Sequence, residues 1–533
     1  MQKNIMDLID HNKKHNNHVV TYKMNNQFIH GNTVIEDDKI IEPIYLNTPA
    51  GLKIYQDFII FLLGMSVYEL YGTKDELSVE HSIGDGIYCE LIFTKACPIM
   101  LSNLKEKMNN IIQRKIPVNK ITLPINQATE VLEKLERQDI LQNLSFYHSR
   151  FVELYQADDY YDYYPRPLPP NTACADTFCL ELLNDGFVVR FPKGMDCKIS
   201  SPFNLPKLLF AQNQEHDKWL KILKVNTVGD INQLINDKHI QEFILTEEAL
   251  HEKKIASLAD NIKQKDTTKI VLIAGPSSSG KTTFAKRLAI QLKVNGYVPY
   301  VLGLDDYFLP RMLTPRLPNG EYDFESIHAL DLELLNNDLA ALLDNKEITL
   351  PYYNFITGER EISKHKLSLG DDNILIIEGI HALNELLTAS IPASFKVKIY
   401  ISALNQLKID FHNRIPTTDF RKIRRIVRDF QYRGYSAEET LQRWAAVRSG
   451  EDKNIFPFQE EADYMFNSSL TYELGILRKY AMPLLRAIPH TSPVFNEAQD
   501  LIELIKHFFD ISDEKVPNNS LLREFMSNSI FEY

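Results

Sequence analysis

Along this chain the hydrophobic pattern changes character about halfway. From about residue 267 to 510, short apolar runs alternate with stretches whose apolar residues recur every three or four positions. Ile270–Ala274, Tyr300–Leu304 and Ile374–Ile377 are apolar almost throughout, the pattern of strands buried on both faces. After the first of them, Phe284, Ala285, Leu288 and Leu292 keep helical spacing. Such alternation predicts an α/β unit, a parallel sheet covered by helices.

Ahead of that unit the pattern is mixed and predicts α+β structure. Residues 1–55 read as strand-rich: His18–Lys23 alternates, and Asn26 and Gly31 supply turn residues. Within 56–200, Asp57–Leu70 predicts an apolar helix and Ile87–Phe93 a strand. That region closes on the aromatic, acidic run Asp158–Tyr164 and the prolines between Pro165 and Pro170. Phe58–Val67 is about half of the ~20 residues needed to span a bilayer, so it predicts a buried helix and no membrane partner. Residues 201–265, with Glu247–Lys263 as the clearest helix, predict a connector, the α/β unit runs over 266–510, and 511–533 reads as a tail.

Composition narrows the setting. The 533 residues suggest roughly three or four domains. A net charge of −12 argues against a generally nucleic-acid-binding surface, although it permits local basic patches. The start, Met1 to His18, is polar and does not read as a signal peptide. Five cysteines, few and odd in number, fit a reduced cytoplasmic protein. Cys174 and Cys179 lack the partners of a metal site and read as small buried residues.

The chemistry begins where the first buried strand ends. Gly275-Pro276-Ser277-Ser278-Ser279-Gly280-Lys281-Thr282-Thr283 contains G-x-x-x-x-G-K-[ST] between a strand and a helix. In that context unshielded N–H groups wrap a polyphosphate at the positive end of the helix. Lys281 would reach the β/γ-phosphates of ATP, and the Thr282 hydroxyl would join the shell of a Mg²⁺ ion. The second strand runs into Asp305-Asp306-Tyr307-Phe308, at the strand end where open α/β sheets bind ligands. A carboxylate there could take a proton from an attacking hydroxyl or hold Mg²⁺ through water, or it could merely cap a turn. Glu378, at the tip of the third strand, is placed to orient Mg²⁺. Arg421, Arg424, Arg425 and Arg428 stand at i, i+3, i+4 and i+7, one face of a helix, with Arg433 beyond. A face of arginines suits a lid closing over phosphates; taken alone it could equally be a solvated stripe.

In this order the pieces resemble the uridine kinase/phosphoribulokinase family of P-loop kinases, over about 230 residues. The carriers are the Gly275–Thr283 loop, Leu304–Phe308, Tyr322–Phe324 with Ala329–Asp331, Pro351–Phe355, Ile376–Gly379 and Asp419–Asp429. The resemblance implies an ATP- and Mg²⁺-dependent nucleoside kinase. It makes Asp305 the general base, sets Asp323 on the ribose hydroxyls and Tyr353 at the acceptor, and makes Arg421, Arg424, Arg425 and Arg428 the lid; Tyr307 and Arg433, beside these, are expected to bind substrate as well. The chain departs from that family where Gly358 stands in place of the histidine that helps read a pyrimidine. The spacing from Asp323 to Asp331 is one residue long as well.

The amino-terminal half resembles the region preceding the catalytic core of threonyl-tRNA synthetase. Residues 1–55 resemble a degraded TGS module of β-grasp type, and 75–200 the second additional domain, carried by Val79–Glu90, Asp158–Pro170 and Gly186–Pro192. Editing domains of that kind carry H-x-x-x-H, but here His81 is followed by Gly84 and Asp85, so an aminoacyl-ester hydrolase is not expected. The leading expectation is phosphorylation of a nucleoside 5′-hydroxyl, uridine or cytidine first, by a chain that could be a homo-oligomer. The alternatives are a kinase of another small hydroxyl compound, such as a sugar phosphate, and an RNA-binding or regulatory protein with a nucleotide-sensing loop.

Overall fold

The computed structural model describes residues 3–4, 18–30, 34–35, 40–146, 149–175, 177–192, 197–199, 202–317, 320, 322–354, 357–370 and 372–532. Gly31 of the first predicted turn and Phe355 of the acceptor-side motif lie outside the described residues. In the amino-terminal half, Val19–Met24 pairs antiparallel with Gln27–Phe28 and Ile41–Tyr45. A four-stranded antiparallel sheet follows, in the order Cys179–Leu183, Gly186–Arg190, Gly86–Leu91, Leu77–Ile83. Between them runs a 23-residue helix, Pro49–Tyr71.

That helix starts eight residues before the predicted Asp57. The reason is local: the Thr48 hydroxyl caps it by accepting from Gly51 N, and Pro49 occupies the first turn, where a missing N–H costs nothing. By length and composition it is the one helix among the described residues apolar enough to cross a membrane. Its Ile54, Phe58, Phe61, Leu62 and Leu63 are instead fully buried against the four-stranded sheet and its neighbours.

In the carboxyl half, five parallel strands form one sheet in the order β2-β3-β1-β4-β5, where β1 is Ile270–Ala274, β2 Val298–Gly303, β3 Asn373–Glu378, β4 Lys396–Ser402 and β5 Tyr464–Asn467. The sheet is helix-covered, as the alternating pattern predicts. Leu272, Leu375 and Ile377 face Leu335 and Leu339 on one side, while Val271, Ile273, Ile374 and Ile376 face Phe284 and Leu288 on the other. Burial on both faces is why β1 and β3 read as unbroken apolar runs; β2, at the edge of the sheet, instead leaves Tyr300 and Val301 exposed.

Two segments outside 266–510 belong to the same cores. Ile255, Leu258, Ala259 and Ile262 of the helix Ile240–Gln264 pack with β1, β3 and β4. Past residue 510, Leu521 joins that cluster, and Leu522, Phe525 and Met526 join the neighbouring one, all four fully buried. The sequence shows these stretches as a connector and a tail because the partners that bury them lie far away along the chain.

Candidate active site

β1 delivers the glycine-serine turn to the carboxyl edge of the sheet, and α1, Lys281–Val294, leaves from it. Gly275 must be glycine: a Cβ there would lie 2.1 Å from the carbonyl oxygen of Ile401 on β4. Ser278 holds φ at 60°, in the left-handed region, the kind of turn that lets successive N–H groups face one concavity. The loop's first half is clamped from both sides. Ser277 N donates to Glu451 Oε1 (2.9 Å), Arg421 Nε donates to Ser277 O (2.9 Å), and Arg421 is itself paired with Glu451.

The two residues expected to hold a metal meet in the structure. The Thr282 hydroxyl donates to Glu378 Oε1 at 2.9 Å, joining the first turn of α1 to the tip of β3. Two hard oxygens beside a phosphate loop fit Mg²⁺, which takes a few protein oxygens and otherwise water and phosphate. Burial pushes the Glu378 carboxyl up to about 7 despite the neighbouring Lys281, with Asp305 adding to the rise. Lys281 folds back, its Nζ donating to Gly275 O (3.0 Å) and Pro276 O (3.3 Å), and burial lowers its pKa.

The two aspartates after β2 separate by role. Asp306 accepts from Tyr353 N at 3.4 Å and so ties the β2 end to the strand Ile348–Asn354. Asp305 is exposed to solvent, yet with protein packed around it. Its pKa rises from that partial desolvation, opposed by the fields of Lys281 and Arg433. It therefore shares the field of the loop lysine, as a base acting on a substrate beside the phosphates must. Asp323, half-buried, has no side-chain hydrogen bond among the described residues and is open to a hydroxyl ligand. Tyr353 is buried against the ring of Phe308 (5.5 Å between centroids). Tyr307 corrects its expectation: its hydroxyl donates to Asp338 at 2.9 Å, on the helix Leu332–Leu343, so it belongs to the core.

The arginine face also divides, and the single closing lid expected from its spacing is corrected. The helix α2, Thr417–Arg433, carries all five arginines. Arg424 is fully buried, its Nε and Nη2 each 2.6 Å from the oxygens of Glu473, which is equally buried, and its Nη1 donates to Ser278 O. A side chain so held cannot swing. Arg421 is likewise built into the floor under the loop. Towards the cleft remain Arg425, which reaches the Ser277 hydroxyl at 2.7 Å, Arg428 and the half-exposed Arg433. These three share one carboxylate, Asp429, which leaves a surplus of positive charge suited to phosphate.

Sequence reasoning missed four carboxylates here. Glu451 and Glu473 hold the buried arginines, and burial lifts Glu325, within the fields of Arg425 and Glu451, to about 7. Glu524 accepts from both the N–H and the hydroxyl of Thr283. None stands in a recognisable motif; only the run of arginines hints that buried partners must exist.

Outside this site, His81 is a core histidine. Asn213 approaches its Nδ1 at 3.1 Å, the rings of Tyr88 and Phe210 flank it, and burial lowers its pKa to about 4.

Comparison with known proteins bears on this half of the chain. Residues 270–474 match the model of the Phosphoribulokinase / Uridine kinase family. The chain is 28% identical over 195 residues to uridine-cytidine kinase B of Dictyostelium discoideum, covering 36% of this chain and 72% of that protein. It is also 28% identical over 195 residues to a uridine kinase of Lactobacillus johnsonii, covering 36% of this chain and 83% of that one. Among solved structures it is similar to a possible uridine kinase from Bacillus stearothermophilus, at 22% identity and a TM-score of 0.26, over 38% of this chain and 89% of that chain.

Proposed function

We propose that this protein is an ATP-dependent kinase that phosphorylates the 5′-hydroxyl of a nucleoside, with uridine or cytidine as first choice. The observation that carries this reading is the meeting of Thr282 and Glu378 at 2.9 Å beside Lys281, with Asp305 in the field of that lysine. The uridine kinase relatives and the family match over 270–474 support the same activity.

Each role follows from position. The loop amides and Lys281 hold the phosphates, and Lys281 must leave the Gly275 and Pro276 carbonyls to do so. Asp305 accepts the proton of the attacking hydroxyl, and its raised pKa brings it closer to that task. Asp323 is free to hold sugar hydroxyls, and Arg425, Arg428 and Arg433 offset charge on the transferring group. Thr282 and Glu378 would hold Mg²⁺, which would supply neutralisation of phosphate charge when bound. Phosphoryl transfer has a loose transition state, so most of the acceleration comes from positioning and charge stabilisation.

We read residues 1–200 as a threonyl-tRNA synthetase-like region without hydrolytic function, in keeping with the enclosed His81. The deciding experiment is ATP consumption by the purified full chain over a panel of nucleosides and sugar phosphates. Turnover with uridine or cytidine is the expected result. Turnover with a sugar phosphate alone moves the chain to the other kinase class, and no turnover with any acceptor removes the reading.

A further inference from the structure

The amino-terminal turn of α1 is already engaged by an anion, and the anion is part of the chain. Glu524 Oε2 accepts from Thr283 N at 3.1 Å and from Thr283 Oγ1 at 2.8 Å, across 241 residues of sequence. Its charge lies in the field of Lys281 together with Glu378 and Asp305. N–H groups of this turn, at the positive end of a helix, are the ones a phosphate loop offers to a nucleotide. A carboxylate oxygen and a phosphate oxygen cannot both take the Thr283 donors.

The segment bearing Glu524 is built to hold that place. Leu521, Leu522, Phe525 and Met526 are fully buried, and Leu521 Cδ2 lies 3.8 Å from where a Cβ on Gly280 would stand. Arg523 fastens the segment to itself, donating to the carbonyls of Asp513, Val516 and Ser527. The segment also touches α2: Tyr432 donates to Met526 O at 2.7 Å, and the Arg424 guanidinium lies 4.8 Å from the Phe525 ring centroid. Glu524 itself is half-buried, unlike the apolar anchors on either side of it.

We propose that Glu524 is an internal competitor of the nucleotide, an autoinhibitory latch on the phosphate loop that ATP must displace before the site is competent. The proposal rests on the kinase reading, because it takes the Thr283 donors to be phosphate ligands. Displacement is favoured by charge: a triphosphate entering beside Glu378 and Asp305 repels a third carboxylate. Contacts of the same segment with Tyr432 and Arg424 then make departure of Glu524 visible to the helix that carries the cleft arginines.

The test is ATP binding by the full-length wild type and by Glu524→Gln, with Lys281→Ala as the control that abolishes binding. A hydrogen bond to a charged group is worth about 1.5–3 kcal/mol, so the glutamine variant should bind ATP roughly 10- to 100-fold more tightly. A second measurement needs no variant: hydrogen exchange on the wild type should show residues 520–532 losing protection when ATP saturates. Equal affinities of wild type and variant, or unchanged protection with ATP bound, overturn the latch and leave the kinase reading standing. Absence of ATP binding by both proteins removes the kinase reading, and the latch falls with it.

Discussion

At the scale of single residues, the site separates groups that do chemistry from groups that hold them. Asp305 and Asp306 are adjacent in sequence, yet only Asp306 is tied to backbone, at Tyr353 N. Asp305→Asn should retain ATP binding and lose about 10²-fold or more in turnover, the usual effect of removing a general base. Because a base must be deprotonated to act and partial desolvation raises this carboxyl, activity should rise with pH across a limb lying above the ordinary aspartate range. Stopped assays of kcat/KM against pH should show that limb in the wild type and lose it in the variant. The arginines divide in the same way. Arg424→Ala strands the fully buried Glu473 and should cost about 3–5 kcal/mol in urea unfolding. Arg425→Ala should leave stability within about 1 kcal/mol and lower turnover by about 10²-fold, as for loss of one transition-state donor.

How much of this was legible varies with distance along the chain. The loop, Asp305, Glu378 and the arginine helix declare themselves in a few consecutive residues, because their geometry comes from a strand end and the turn of a helix. Glu451 is 174 residues from Ser277, and Glu473 is 49 from Arg424. Nothing local distinguishes such a glutamate from a solvated one. The lid expectation failed for the same reason. Helical spacing places arginines on one face but does not say whether that face meets water or buried carboxylates.

At the scale of elements, the acceptor side is shaped by a turn. Gly358 has φ at 74°, and a Cβ there would lie 2.7 Å from the Arg311 guanidinium carbon, while Arg311 N donates to Gly358 O at 2.8 Å. Arg311 thus fills the space into which a side chain at 358 would project. The helix Ile240–Gln264 is the other element whose role depends on context. Its Glu247 accepts from Thr471 N (2.6 Å) and Thr471 Oγ1 (2.9 Å), and burial lifts it to about 7. A raised carboxyl pKa means that folding favours the protonated form. The stability it contributes is full below about pH 4.5 and is lost as pH climbs through about 7, a change of up to ~3 kcal/mol. Glu247→Gln keeps the neutral form at every pH. Its stability relative to wild type should therefore improve between pH 5 and pH 8, read as the difference in urea midpoints. A constant difference would place the buried carboxyl elsewhere on the pH scale.

At the scale of the whole molecule, the two halves are joined through buried charge. Lys408 Nζ lies 2.6 Å from Glu80 Oε1 and 2.8 Å from Ser78 Oγ, and Lys53 lies 2.9 Å from Asp419 at the start of α2. Arg137 forks to Asp139 and Asp162, with His412 2.6 Å from Asp162. Removing one side of such pairs leaves the other buried and uncompensated. The apolar cores are shared too, through Val228, Ile231 and Ile244 in one cluster and Ile255 and Ile262 in another. A chain beginning at residue 266, although it contains the whole family match, should therefore be insoluble or lack a cooperative melt. Circular dichroism and gel filtration of that fragment would decide it: a monomer melting like the full chain would refute the shared core.

What the sequence determined by itself is what short-range physics controls: the apolar strands, the helix periods, the phosphate loop and the residue types at strand ends. Only the tertiary structure decided which charges face the cleft and which are sealed beneath it. It also decided that residues 521–526 pack beside the loop, and that a glutamate from that segment takes the Thr283 N–H and hydroxyl. Those outcomes depend on burial and on pairs from tens to hundreds of residues apart, and no local window of sequence shows that they meet.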